Sequence, residues 1–256
     1  MSMRGADMKQ PVVQYHHAGV AWRNVKSEIE RQIIASGAKK VVEVGGGANP
    51  LFDREFLDKH GISYTLLDIS AAELAKAPDG YHKVQADICA DKLSFGERFD
   101  FAFSRMLAEH VPDGEAFHRN TYRLLAPGGR AFHFFPTMWA PPFVVNRLLP
   151  ERLAETLLHA LQPGRERAGK LAKFPAYYRW CRGPSAAQLR RFEAIGYEVE
   201  SYNGFYGHGP YYQKFPWLLR MHNAFSHWLV KHPWSFLTSF AQVLLRKPPE
   251  TIVSPT

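Results

Sequence analysis

Val41-Val42-Glu43-Val44-Gly45-Gly46-Gly47-Ala48-Asn49-Pro50 decides the fold of this chain. A short β-branched run reads as a buried strand, and it ends in three consecutive glycines. Glycine lets the backbone turn with positive φ and leaves room for a ligand against the main chain. The next apolar run, Ser63-Tyr64-Thr65-Leu66-Leu67, ends at Asp68, 25 residues after Glu43. A carboxylate at the tip of the second strand is where a doubly wound sheet holds ribose hydroxyls. The two features together specify a nucleoside-containing cofactor.

Two cofactor classes compete for that geometry. A dinucleotide site wants Gly-x-Gly-x-x-Gly, with a third glycine closing the helix on the strand. Here Gly45-x-Gly47 runs into Asn49-Pro50 and the third glycine is missing. Glu43 at the strand end would repel phosphate, yet it suits an ammonium or can order the loop. S-adenosyl-L-methionine carries an ammonium, a carboxylate and a sulfonium but no phosphate, so charge favours it over a nicotinamide dinucleotide.

Further motifs follow in order. Val84-Gln85-Ala86-Asp87-Ile88 comes after Asp68-Ile69. Phe99-Asp100-Phe101-Ala102-Phe103-Ser104 reads as a fourth strand, followed by Glu109-His110-Val111-Pro112-Asp113. Leu124-Leu125-Ala126-Pro127-Gly128-Gly129-Arg130 turns into a fifth strand, Ala131 to Phe135. With Glu43, Gly45 and Gly47, this series resembles the class I S-adenosylmethionine-dependent methyltransferases, over about 27–136 and again over about 185–248. The resemblance implies an α/β, Rossmann-like, doubly wound, mostly parallel sheet of seven strands, the last antiparallel. It also implies that Glu43, Gly45, Gly47, Asn49, Asp68, Ile69, Asp87, Ile88, Ser104 and Arg105 surround the cofactor. Asn49 replaces the usual third glycine. An N-terminal lid, here Gln14-Tyr15-His16-His17 with Trp22, is expected to bring Tyr15 to the cofactor.

Composition narrows the setting. The 256 residues suit one domain with insertions. Cys89 and Cys181 match no metal or redox spacing, and the paired His16 and His17 have no third ligand at metal spacing. No metal is expected, and a reduced, cytoplasmic setting is the simple reading. No secretory signal is legible at the start and no run approaches a membrane span. The net charge of +8 is uneven: residues 1–135 carry 17 Lys+Arg and 17 Asp+Glu, whereas residues 136–256 carry 15 against 7. The second part also holds 20 of the 35 aromatics, yet no basic run or nucleic-acid motif. Nucleic acid is therefore not the favoured partner. Peripheral contact with an anionic membrane is compatible with the helical stretch around Trp217 to Trp234.

Along the chain, residues 1–10 read as a disordered leader and Ser27 to Ala35 as a helix stopped by Gly37. Strand and helix signals alternate over 40–44, 51–60, 62–68, 71–76, 82–86, 99–103, 114–125 and 129–135, which specifies a parallel sheet between helices. Seven prolines over 136–184 forbid long helices there except around Glu151 to Leu161. A helix capped by Ser185 runs to Ile195, strands are expected over 197–202 and 240–246, and a helix over 215–230. Residues 1–26 read as a lid, and 136–184 and 209–235 as insertions covering the substrate.

Two aromatic clusters, Phe174-Pro175-Ala176-Tyr177-Tyr178-Arg179-Trp180 and Phe205-Tyr206-Gly207-His208-Gly209-Pro210-Tyr211-Tyr212, make poor helix faces and suit a pocket wall. Tyr177, Tyr178, Tyr206 and Arg179 are the candidate substrate contacts, and His208, Tyr177 and His110 the candidate catalytic groups. Arg105, Arg179 or Arg182 would hold a substrate carboxylate or phosphate. The function expected is in-line methyl transfer from S-adenosylmethionine to a small, acidic or aromatic molecule. Two alternatives stay open. One is attack on the cofactor's own amino-acid arm, by a cyclase or lyase that releases methylthioadenosine. The other is a basic module that binds RNA or a membrane.

Overall fold

The computed structural model describes residues 10–91, 93, 95–138 and 175–250. The expected leader and the expected helix around Glu151 to Leu161 lie outside the described residues. Among the described residues, eight strands form one sheet: β1 Val12–His17, β2 Lys40–Val44, β3 Ser63–Asp68, β4 His82–Gln85, β5 Phe99–Arg105, β6 Leu125–Pro136, β7 Glu198–Tyr206 and β8 Phe240–Arg246. The order across the sheet is β1-β7-β8-β6-β5-β2-β3-β4. All neighbours pair parallel except β8, which is antiparallel to both β6 and β7. The α/β, mostly parallel architecture with an antiparallel last strand is as expected.

The count is eight rather than seven because of β1. Residues 12–17, read as part of a lid, pair with β7 in register Val12↔Ser201 to His17↔Tyr206. The lid reading is corrected: this segment is an edge strand, and His17 then caps helix α1, Ala18–Ser36, by accepting from the Gly19 amide. Helix α1 is about twice the expected length. Its buried face of Ala18, Ala21, Val25, Ile29 and Ile33 follows helical spacing, and Gly37 ends it with φ 68°.

The remaining α-helices among the described residues are α2 Arg54–His60, α3 Ala71–Lys76, α4 Gly114–Leu124, α5 Ala186–Ile195 and α6 Pro216–Lys231. Asp53, Ser70, Asp113 and Ser185 cap the first four through their side chains. Two apolar layers sandwich the sheet. One gathers Ile29, Ile33, Val41, Leu57, Phe101 and Phe103, and the other Val42, Val44, Ala102, Phe117, Phe192 and Val243. Alternation along β5 sends Phe101 and Phe103 to the first layer and Ala102 to the second. With both faces covered, ligands are left the rim where the parallel strands end.

Candidate cofactor and acceptor site

At that rim the glycine loop leaves β2. Gly45 has φ 75° and Gly47 φ 42°, and the loop is tied down by Gly45 N to Leu67 O at 2.7 Å. A Cβ on Gly45 would lie 2.8 Å from Leu107 Cδ1, and one on Gly47 would lie 3.2 Å from Asp68 Oδ2. The loop therefore keeps its backbone bare where the strand tips converge.

Glu43 is what shapes this loop. Only 2% exposed, its Oε1 accepts from Arg105 Nη2 at 2.9 Å, and its Oε2 from Leu51 N at 2.9 Å and from the Tyr64 hydroxyl. One carboxylate thus joins the loop's exit, β3 and the end of β5. Burial and the neighbouring carboxylate push the Tyr64 phenol far up, so it stays a donor. Glu43 and Arg105 organise the loop from beneath rather than presenting open charges to a ligand.

Asp68 does present one. Its Oδ1 accepts from Ser70 N at 2.9 Å, while Oδ2 faces Gly47. Ile69 beside it is 60% exposed. Ala86 N donates to Asp68 O at 3.0 Å, which sets the loop after β4 alongside. There Asp87 is exposed and receives Cys89 N at 2.8 Å, while Ile88 is buried in the core. Gly45, Gly47, Asn49, Asp68, Ile69 and Asp87 share one rim of β2, β3 and β4. A bare glycine turn against an outward carboxylate and an exposed apolar residue fits the nucleoside end of S-adenosylmethionine. Asp68 would take the ribose hydroxyls, and Ile69 would offer its apolar surface to the base.

The loop after β5 builds the other side. Met106 has φ 53°, rare for a side chain of its size, and its amide is fixed to Phe134 O at 2.8 Å. The segment from Pro175 to Pro184 straps over this loop. Tyr177 N and Tyr178 N both donate to Glu109 O, at 2.7 and 3.1 Å, and Tyr202 OH donates to Arg182 O at 2.6 Å. His110 Nδ1 donates to Pro175 O at 3.0 Å, which fixes the orientation of the ring. The structure brings His110, Tyr177, Tyr178 and Arg179 into one neighbourhood. Tyr177 and Arg179 are exposed, whereas Tyr178 is buried.

At the centre of this group is Glu109, which the residue-by-residue reading passed over in favour of its neighbour. It is 3% exposed, and burial pushes its carboxyl up to about 8. Among the described residues its Oε2 has no hydrogen-bond partner, and His110 Nε2 is 3.7 Å from Oε1, too far for a hydrogen bond. The one sequence signal was an acidic residue directly before His110.

Four expected site residues fall elsewhere. Ser104 is fully buried in β5, with its hydroxyl bonded to His133 Nδ1 at 2.8 Å, so it cannot touch a ligand. Tyr15 lies in β1, five strands from β2, where it stacks on Tyr206 with centroids 5.7 Å apart. Tyr206 itself is fully buried, and burial raises its phenol. His208 is 3% exposed and donates its backbone N–H to His222 Nε2 at 2.7 Å. Burial, with His222 adding to it, lowers the His208 imidazole to about 3. So weak a proton acceptor is poorly suited to act as a base at neutral pH. Trp22, expected in the lid, lies on α1 edge-on to Phe134 and Phe240.

Residues 19–202 match the family model described as a methyltransferase domain. The chain belongs to that family, the class I S-adenosylmethionine-dependent methyltransferases with a Rossmann-like fold. Among curated proteins it is similar to the ubiquinone biosynthesis O-methyltransferase of Coxiella burnetii (strain Dugway 5J108-111). They share 36% identity over 110 residues, 41% of this chain and 46% of that relative. The match thus spans about half the length of that relative. Among solved structures, an S-adenosylmethionine-dependent methyltransferase from Mesorhizobium loti superposes with a TM-score of 0.51 at 19% identity, covering 89% of this chain and 97% of that one. The cyclase SpnF superposes with a TM-score of 0.56 at 16% identity, covering 95% and 85%. At these identities the likeness is one of fold alone.

Proposed function

We propose that this chain methylates a hydroxyl oxygen on a small molecule, with S-adenosylmethionine as donor. The observation that carries the reading is His110. Its Nδ1 donates to Pro175 O, which fixes the ring beside the strap and next to the loop that packs on Gly45. A hydroxyl nucleophile arrives protonated, and a positioned acceptor removes that proton as the bond to carbon forms. The sulfonium of the bound cofactor makes its methyl electrophilic without help, so the protein's task is alignment and exclusion of water. In this reading Asp68 holds the ribose and His110 takes the proton. Tyr177 and Arg179 meet the acceptor, a role suited to an aromatic or acidic molecule. The name of the Coxiella burnetii relative also supports oxygen as the accepting atom.

Calorimetry and product analysis test the proposal. Asp68→Ala is expected to weaken S-adenosylmethionine binding by on the order of a hundredfold, the worth of charge-assisted hydrogen bonds to the ribose. His110→Ala should cut turnover with a hydroxylated acceptor at least a hundredfold while leaving cofactor affinity within a few-fold. Release of methylthioadenosine instead of S-adenosylhomocysteine would refute methyl transfer. An unchanged rate for His110→Ala would refute the proton-acceptor role.

A further inference from the structure

Helix α6 carries a surface that the reaction does not use. Trp217, Met221, Phe225 and Trp228 are 63%, 62%, 51% and 44% exposed. At roughly 100° per residue these four positions lie within about 80° of arc, so they form one stripe. The stripe continues past the helix end: Trp228 meets Trp234 with centroids 6.3 Å apart, and Trp234 stacks on Phe236 at 5.8 Å. Phe215 extends it at the other end, 43% exposed. Single exposed apolar residues are ordinary, but a contiguous aromatic ridge marks a contact surface.

The opposite face of the helix is already in use. Ser226 and Leu229 are buried, His222 accepts from the His208 amide, and His227 stacks on His17 at 5.0 Å. These contacts seat α6 at the ends of β1 and β7, on the same rim of the sheet as the glycine loop. The ridge therefore points outward from that rim.

Charge identifies what the ridge meets. From Ser201 to Pro249 the chain contains no aspartate or glutamate, but around α6 it has Lys214, Arg220 and Lys231. Arg220 and Lys231 are exposed and lie roughly 40–60° to one side of Trp217 around the helix. Tryptophan and phenylalanine settle at the boundary between headgroups and acyl chains, while flanking cations reach anionic headgroups. No helix among the described residues is long and apolar enough to cross a membrane, so α6 would lie along the surface. We propose that α6 is an interfacial helix that docks the carboxyl rim of the sheet onto an anionic phospholipid bilayer. An acceptor dissolved in that bilayer would then enter the site without crossing water.

The test is flotation of the full chain with phosphatidylcholine vesicles, with and without phosphatidylglycerol, joined to quenching of tryptophan emission by brominated lipid. Binding is expected only to the anionic vesicles, with quenching, and is expected to weaken as salt is raised. The double variant Trp217→Ser/Trp228→Ser should lose flotation and most of the quenching while keeping its thermal transition and cofactor affinity. Both residues are exposed, so folding should survive. Arg220→Gln/Lys231→Gln should weaken binding roughly thirtyfold, at about a fivefold loss per cation removed. Equal binding to neutral vesicles, or vesicle binding untouched by the tryptophan variant, would overturn the proposal. So would a dimer in light scattering that the tryptophan variant dissociates while the wild type ignores vesicles.

Discussion

Replacing Glu109 by glutamine tests the site's least visible feature, a carboxyl held neutral by burial. Its folded-state pKa of about 8 stands against an ordinary value of 4.5. A raised acid is protonated in the fold when it would ionise in the unfolded chain. Folding stability from this group is therefore fully present below pH 4.5 and is lost as pH climbs through 8. Between pH 5 and pH 9 the two pKa values imply a loss of roughly 4 kcal/mol. Glutamine cannot ionise, so the variant escapes that loss. It does place an extra amide donor where Oε2 has no partner among the described residues, at a cost of about 1–3 kcal/mol at every pH. The wild type should thus be the more stable at pH 5 and the variant the more stable at pH 9. Urea denaturation at pH 5, 7 and 9, followed by circular dichroism, reads the difference directly. A stability gap that stays constant across the three values would mean that Glu109 is ionised and paired in the fold, and the account of its burial would be wrong.

Other perturbations bear on neighbouring parts. Gly47→Ala puts a side chain at φ 42° and a Cβ 3.2 Å from Asp68 Oδ2, so calorimetry should show cofactor affinity at least tenfold weaker; wild-type affinity would refute the cradle. Glu43→Gln leaves Arg105 without its anion. A stability loss on the order of 2–3 kcal/mol in urea is expected, because Arg105 is partly exposed and solvent recovers some of the cost. No loss would show that the clamp is not formed. Gly183→Ala drives a Cβ to 2.0 Å from Ser235 O and 2.3 Å from Thr238 Oγ1, so the strap should be displaced at a cost of about 3 kcal/mol in thermal unfolding. An unchanged transition would mean that the strap does not pass there.

The cofactor side was legible because its signals are local. The triple glycine, Glu43 and Asp68 declare themselves within single short segments, each with a backbone or charge requirement that few other arrangements share. Even so, the role of Glu43 was visible only as a choice between a ligand for ammonium and a brace for the loop. Tyr64 and Arg105, 21 and 62 residues away, decide for the brace. Strand β1 was not legible for a similar reason. Val12-Val13-Gln14-Tyr15-His16-His17 lacks a clean alternation, and Val12 and Val13 stay exposed on the sheet edge. Its hydrogen-bonding partner, β7, begins at Glu198.

Ser104 and His208 show how residue type misleads once register intervenes. Ser104 has the same parity along β5 as Ala102, and it pairs across the ladder with His133, which is also fully buried. The hydroxyl that the family resemblance assigned to a cofactor is thus spent inside the protein. His208 and Tyr206 lie at and just past the end of β7, where the expected strand had stopped at Tyr202. Continuing it by four residues turns a presumed pocket wall into packed interior.

The pair Glu109-His110 shows what burial adds to a short motif. A histidine is the natural candidate for proton transfer near neutral pH, and Glu109 was not among the candidate catalytic groups. Burial alone brings the Glu109 carboxyl to about 8, so this acid changes charge near neutral pH. The strap holds the glutamate's backbone oxygen with two amides and the imidazole's Nδ1–H with one carbonyl. Movement of the strap would therefore alter burial of the acid and orientation of the acceptor together. If Tyr177 meets the acceptor and His110 takes the proton, as proposed, the two events are coupled through a backbone segment, which no inspection of the two side chains in isolation would reveal.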